Sequence, residues 1–162
     1  MGERTGDGHT AIRRESEREL VVTRVFDAPV RLVYDAWTKA ELFQLWWAPK
    51  SIGVPMLACE MDVRTGGGYR VTFGRDLENS RSFFGKYLEV TPNARIVWTN
   101  DEGDEDGAVT TVTFEEQEGG KTLLVMRELY PSKEALDRSS GSMDAAPEQF
   151  GQLDELLATL VA

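Results

Sequence analysis

Phe150-Gly151-Gln152-Leu153-Asp154-Glu155-Leu156-Leu157-Ala158-Thr159-Leu160-Val161 is the stretch on which the fold turns. Phe150, Leu153, Leu156, Leu157, Leu160 and Val161 recur at helical spacing, so this is an amphipathic helix that needs an apolar surface to lie on. The surface stands upstream. From Ser51 to Tyr130 the apolar period drops to two, which predicts strands over 52–61, 67–74, 81–91, 94–101, 108–117 and 121–130. Turn residues separate them: Thr65 to Gly68, Asp76 to Ser80, Pro92-Asn93, Asp101 to Gly107, and Gly119-Gly120. Connections this short make hairpins, hence a mostly antiparallel sheet.

Before the sheet, Leu20 to Phe26 is β-branched and aromatic and reads as a first strand. Asp27 is placed to cap a helix with Pro29 in its first turn, and Val30, Val33, Tyr34 and Trp37 give it a stripe. Thr38-Lys39-Ala40-Glu41 has the form of a capping box for a second short helix carrying Leu42, Leu45 and Trp46. Ser132 can cap a short helix that runs to about Arg138. Residues 1–17, rich in Gly and charge, are expected to be disordered, which leaves one domain over 18–162. The order is strand, two helices, six strands, helix. The fold class is α+β, seven antiparallel strands with one long helix against them; if the sheet curves, a cavity can remain beneath it.

Composition narrows the function. The 162 residues carry 28 acidic and 18 basic side chains, a net charge of −10, which disfavours nucleic acid and anionic membrane as partners. No window approaches the roughly 20 apolar residues of a membrane span, and Met1 to Thr10 lacks the apolar core of a signal peptide. Cys59 has no second cysteine to pair with, which suits a cytoplasmic protein. The one histidine, His9, lies in the polar lead-in, so catalytic triads and histidine metal sites fall away. Gly66-Gly67-Gly68 precedes a strand and lacks the helix and Lys-Ser/Thr of a phosphate loop. Glu102-Gly103-Asp104-Glu105-Asp106-Gly107 resembles the front of a calcium loop, but Thr113 stands where a bidentate Glu is needed. No metal and no cofactor are expected.

Several runs, taken in order, carry a family resemblance. They are Phe26-Asp27-Ala28-Pro29-Val30, Tyr34-Asp35-Ala36-Trp37, Leu45-Trp46-Trp47-Ala48-Pro49-Lys50-Ser51 and Cys59 through Gly67. Ile96-Val97-Trp98-Thr99, Tyr130 through Ala135, Ser142-Met143 and Gln149 through Asp154 follow. Over about residues 18–162 the chain resembles the SRPBCC superfamily, and within it the C-terminal domain of the activator of the 90-kDa heat-shock protein ATPase. The resemblance implies the helix-grip fold and an internal hydrophobic cavity, used by relatives for lipids, hormones, polyketides or aromatics. The family often has Gly-Met, a Gly and a bulky residue where this chain reads Ser142-Met143-Asp144-Ala145-Ala146-Pro147. Pro147 should therefore sit in the first helical turn or kink the helix.

The candidate cavity residues are Trp46, Trp47, Tyr69, Val71, Phe73, Phe84, Trp98, Val112, Phe114, Met126, Met143 and Phe150, residues that taken singly are more often plain core. Asp62 and Arg64 share a strand face and form either a sheet-end ion pair or a polar anchor for a ligand. Arg127 is an anchor only if it points inward, because its neighbour Glu128 then faces away. The leading expectation is a non-enzymatic or weakly catalytic binding module for a small apolar ligand, with a homodimer left open. The alternative is a cyclase- or hydratase-like enzyme using Glu60, Asp62 or Arg127 in the same cavity. A co-chaperone contact with a heat-shock ATPase rests on the family name alone.

Overall fold

A computed structural model describes residues 3–6, 10–48, 50–53, 55–76, 78–101, 107–138 and 146–161. Nine strands form one sheet: β1 (Glu3–Gly6), β2 (Thr10–Arg14), β3 (Glu19–Phe26), β4 (Met56–Met61), β5 (Gly68–Gly74), β6 (Ser80–Thr91), β7 (Arg95–Thr99), β8 (Val109–Gln117) and β9 (Lys121–Leu129). Their order is β1-β2-β3-β9-β8-β7-β6-β5-β4. Every neighbouring pair is antiparallel. Helices α1 (Val30–Thr38) and α2 (Ala40–Trp46) follow β3, α3 (Lys133–Arg138) follows β9, and α4 (Ala146–Val161) comes last. β3 runs beside β9, so the first and last of the long strands are central neighbours, and the α1–α2 excursion crosses over before β4.

The core lies between sheet and α4. Phe150, Leu153 and Leu157 are fully buried with Val22 and Phe26 of β3, Val112 of β8, and Leu124 and Met126 of β9. Phe150 meets Phe26 edge-on, with ring centroids 5.6 Å apart. Each fully buried side chain of this size is worth about 1.5–3 kcal/mol, so α4 is held by packing more than by propensity. The sheet breaks register between Met56 and Ala58 and between Tyr87 and Glu89, where bulges bend it. This is the helix-grip architecture, and α4 accommodates Pro147 in its first turn, where the missing N–H costs nothing.

The N-terminal expectation is corrected. Within residues 1–17, Glu3–Gly6 and Thr10–Arg14 form β1 and β2, which raises the strand count from seven to nine. Thr10-Ala11-Ile12 is a short β-branched run that finds a partner in the free edge of β3, and Thr10 is fully buried there. Gly-rich, charged surroundings hide so brief a signal.

Two caps are corrected as well. Pro29, extended at φ −66° and ψ 152°, is the N-cap of α1, and Asp27 lies two residues outside it, exposed. Lys39 is the N-cap of α2 and makes no side-chain cap bond. The Thr38 hydroxyl instead donates to the Tyr34 carbonyl at 2.9 Å, because Thr38 is still the last residue of α1. Ser132 does cap α3, its Oγ accepting from Ala135 N at 3.0 Å. Lys50–Ile52 turn as a 3₁₀ helix, so β4 begins at Met56 and not at 52. The readings that fall on His9, Pro49, Glu102 to Asp106, Ser139 to Ser142 and Met143 lie outside the described residues.

Candidate functional site

The strands far from α4's central contacts, β4 to β7, present one face to α1 and α2. On β5, Tyr69, Val71 and Phe73 alternate toward that face; on β6 Phe83 and Tyr87 do so, and on β7 Ile96 and Trp98. Met61 of β4 and Asn100, just past β7, complete the strand side. Trp37 of α1, Phe43 of α2 and Trp47 close the opposite side. Together these twelve residues line a cavity of about 180 Å³ that is partly open to solvent, and none of them is charged. Gly85 stands between Phe83 and Tyr87, where a Cβ would lie 1.9 Å from the Thr99 carbonyl oxygen. No larger residue fits there without moving β7.

Trp37 is the hub of the wall. Six rings have centroids within 6.4 Å of its own: Phe43, Trp46, Trp47, Trp98, Phe114 and Phe150. Most pairs are edge-on or tilted, the arrangement the ring quadrupoles favour. Trp37 is 2% exposed, and its indole N–H has no hydrogen-bond partner among the described residues. Phe43 and Trp47 stack at 4.9 Å.

The polar side of the cavity is small. The Tyr69 hydroxyl donates to the Thr99 carbonyl at 2.8 Å and lies 3.4 Å from Asn100 Oδ1. Asn100 Nδ2 donates to the Ala108 carbonyl at 2.7 Å and to Thr110 Oγ1 at 3.0 Å. Burial drives the Tyr87 pKa far above the usual phenol value, with Cys59, Asp62 and Tyr34 adding in the same direction. Tyr87 therefore stays protonated at every physiological pH. Burial also raises the Cys59 thiol, which favours the unreactive protonated form.

The predicted residues divide. Trp47, Tyr69, Val71, Phe73 and Trp98 line the cavity. Trp46, Phe114, Met126 and Phe150 lie in the close-packed core, with Trp46 Nε1 donating to the Ala36 carbonyl at 2.9 Å. Phe84 points to the other face of β6, where the Arg70 guanidinium covers its ring at 4.7 Å. Asp62 and Arg64 pair at 2.9 Å beside the β4–β5 turn, with side chains 58% and 69% exposed. Arg127 faces Glu19 at 3.8 Å on the side of β9 opposite Met126. None of these three lines the cavity, nor does Glu60. Trp37, Phe43, Met61, Phe83, Tyr87, Ile96 and Asn100 were missed; the alternation that runs through Tyr69 on β5 was the signal that could have found Phe83 and Tyr87 on β6.

Among the described residues no group of three or more His, Cys, Asp or Glu is placed to hold a metal ion. No described helix is long and apolar enough to cross a membrane.

Known proteins share this architecture. A crystal structure from Rhodobacter sphaeroides is 26% identical, covers 92% of this chain and 97% of its own, and superposes with a TM-score of 0.81. One from Chromobacterium violaceum is 27% identical over 86% of this chain and 96% of its own, with a TM-score of 0.70. A third, from Nitrosomonas europaea, is 24% identical over 90% and 97%, with a TM-score of 0.76, and shares the fold. No curated protein is similar enough in sequence to match. The family model described as Activator of Hsp90 ATPase homolog 1-like protein matches residues 27–158, from the turn after β3 to the last turns of α4. With that match over most of its length and a helix-grip sheet closed on α4, the chain belongs to the Activator of Hsp90 ATPase homolog 1-like family of the SRPBCC superfamily.

Proposed function

We propose that the protein is a binding module for a small apolar molecule held in the cavity between β4–β7 and α1–α2. The observation that carries this reading is the wall itself: eight of the twelve lining residues are aromatic and none is ionised. Aromatic walls with a few convergent polar groups are the usual form of a small-molecule site. The groups that an acid–base mechanism would need, Glu60, Asp62 and Arg127, are directed elsewhere, so no observation favours the catalytic alternative. An activating contact with a heat-shock ATPase draws on the family name and on no feature of the cavity.

Trp37, Trp47 and Trp98 line the site, so a ligand should perturb their indole N–H resonances and emission. Titration with a panel of aromatic, terpenoid and fatty-acid probes should give saturable shifts for at least one class. Absence of saturable binding across the panel would defeat the reading.

A further inference from the structure

Besides the unpartnered indole N–H of Trp37, two polar groups on the cavity wall keep hydrogen-bonding capacity. Tyr87 is 5% exposed and lines the cavity, yet its hydroxyl has no hydrogen-bond partner among the described residues. Unlike the Trp37 indole N–H, this hydroxyl keeps some access to solvent, and a ligand acceptor in the cavity can take the place of water there. Asn100 has both amide hydrogens committed to Ala108 O and Thr110 Oγ1, which fixes the side chain. Among the described residues its Oδ1 accepts only the long 3.4 Å contact from Tyr69. It is therefore a positioned acceptor with capacity to spare.

Size and charge limit what can reach these groups. An apolar cavity of about 150 Å³ admits a benzene ring, whereas drug-sized ligands occupy about 300–1,000 Å³. The cavity here measures about 180 Å³. One or two rings fit within it, whereas a tetracyclic skeleton would protrude into solvent. A fatty acid would bring a carboxylate to a wall that offers no cation, and a buried charge without a partner is costly. Flat rings, by contrast, find edges and faces on both sides, from Trp37, Trp47 and Trp98.

We infer that the cavity selects a neutral, planar molecule of one or two aromatic rings that presents a hydrogen-bond acceptor to the Tyr87 hydroxyl and a donor to Asn100 Oδ1. This rests on the binding reading above and names its ligand class.

The test uses 2-naphthol, naphthalene and lauric acid against the full chain and against Tyr87→Phe, read by calorimetry and indole N–H shifts. 2-Naphthol should bind about tenfold tighter than naphthalene, the gain of roughly one hydrogen bond. Tyr87→Phe should narrow that difference without abolishing it, because the bond to Asn100 Oδ1 remains, and unchanged indole N–H resonances in the ligand-free variant show the fold intact. Equal affinities for the two ring probes, or a preference undiminished in Tyr87→Phe, would overturn the inference while leaving the binding reading standing. So would lauric acid displacing 2-naphthol at lower concentration. If none of the three probes binds and the wider panel also fails, the binding reading goes, and this inference with it.

Discussion

Gln152 shows how one side chain can join distant parts of the chain. It sits on the inner side of α4, 9% exposed. Its Nε2 donates to the carbonyls of Trp46 and Ala48, at 2.8 and 2.9 Å, and its Oε1 accepts from Lys50 N at 2.9 Å. Gln149 adds a bond from its Nε2 to the Trp47 carbonyl at 2.6 Å. The segment that carries Trp47, and so one wall of the cavity, is thus fastened to α4 by bonds between glutamine side chains and its backbone. Gln152→Leu keeps the volume but orphans two carbonyls and an N–H, and should cost about 1–3 kcal/mol. A urea melt measures this, and an unchanged midpoint would show the segment to be held by packing alone. The sequence could not announce this role, because the partners are backbone groups some hundred residues away. Phe83 and Phe84 teach a related lesson. β6 carries aromatics on both faces, so composition does not tell which is inward, and only pairing with β5 puts Phe83 opposite Val71 and into the cavity.

At the scale of elements, the start of α4 is tied to the 3₁₀ turn at Lys50–Ile52 through one carboxylate. Glu148 accepts from Ser51 Oγ at 2.5 Å and Ser51 N at 2.8 Å. These bonds, the hydroxyl first, hold its pKa below the ordinary 4.5. The folded state therefore binds this proton less readily than the unfolded chain. Its stabilising contribution is complete above the ordinary carboxylate value and is lost as pH falls through the lowered folded value. Melting temperature against pH should show a shallower acid limb in Glu148→Gln than in the native chain; parallel limbs would mean the bonds do not persist in solution. The caps follow the same logic of competition. Ser132 caps because it stands free just ahead of α3, whereas Thr38 still belongs to α1 and spends its hydroxyl on Tyr34.

For the whole molecule, the β1–β2 hairpin widens the sheet and is pinned through Arg24 of β3. The Arg24 side chain is 3% exposed; Nη1 donates to Thr10 Oγ1 at 2.7 Å, and Nη2 meets Asp154 of α4 at 3.2 Å. Its guanidinium also lies 5.3 Å from the Phe26 ring centre. Sheet edge, central strand and closing helix thus meet at one buried cation. Thr10→Val withdraws an acceptor from that charge, and should cost about 1.5–3 kcal/mol. Hydrogen exchange should show the amides of 10–14 losing protection together while those of β9 keep theirs. If residues 10–14 exchange as before, the hairpin is held by its backbone ladder and not by Arg24.

Period-two alternation from Ser51 to Tyr130 and the stripe from Phe150 to Val161 determined the α+β layers, the antiparallel sheet and the helix that closes it. These are properties of local spacing, and burial of one face follows from them directly. The tertiary structure alone decided which aromatics border space and which fill it. Trp46 and Trp47 are adjacent and chemically alike, yet the first is sealed in the core and the second faces the cavity. That difference arises from the angle between α2 and the strands and from the bulges that bend the sheet. Neither leaves a mark on a single segment, because a void is defined by the distance between surfaces and not by the residues of any one of them.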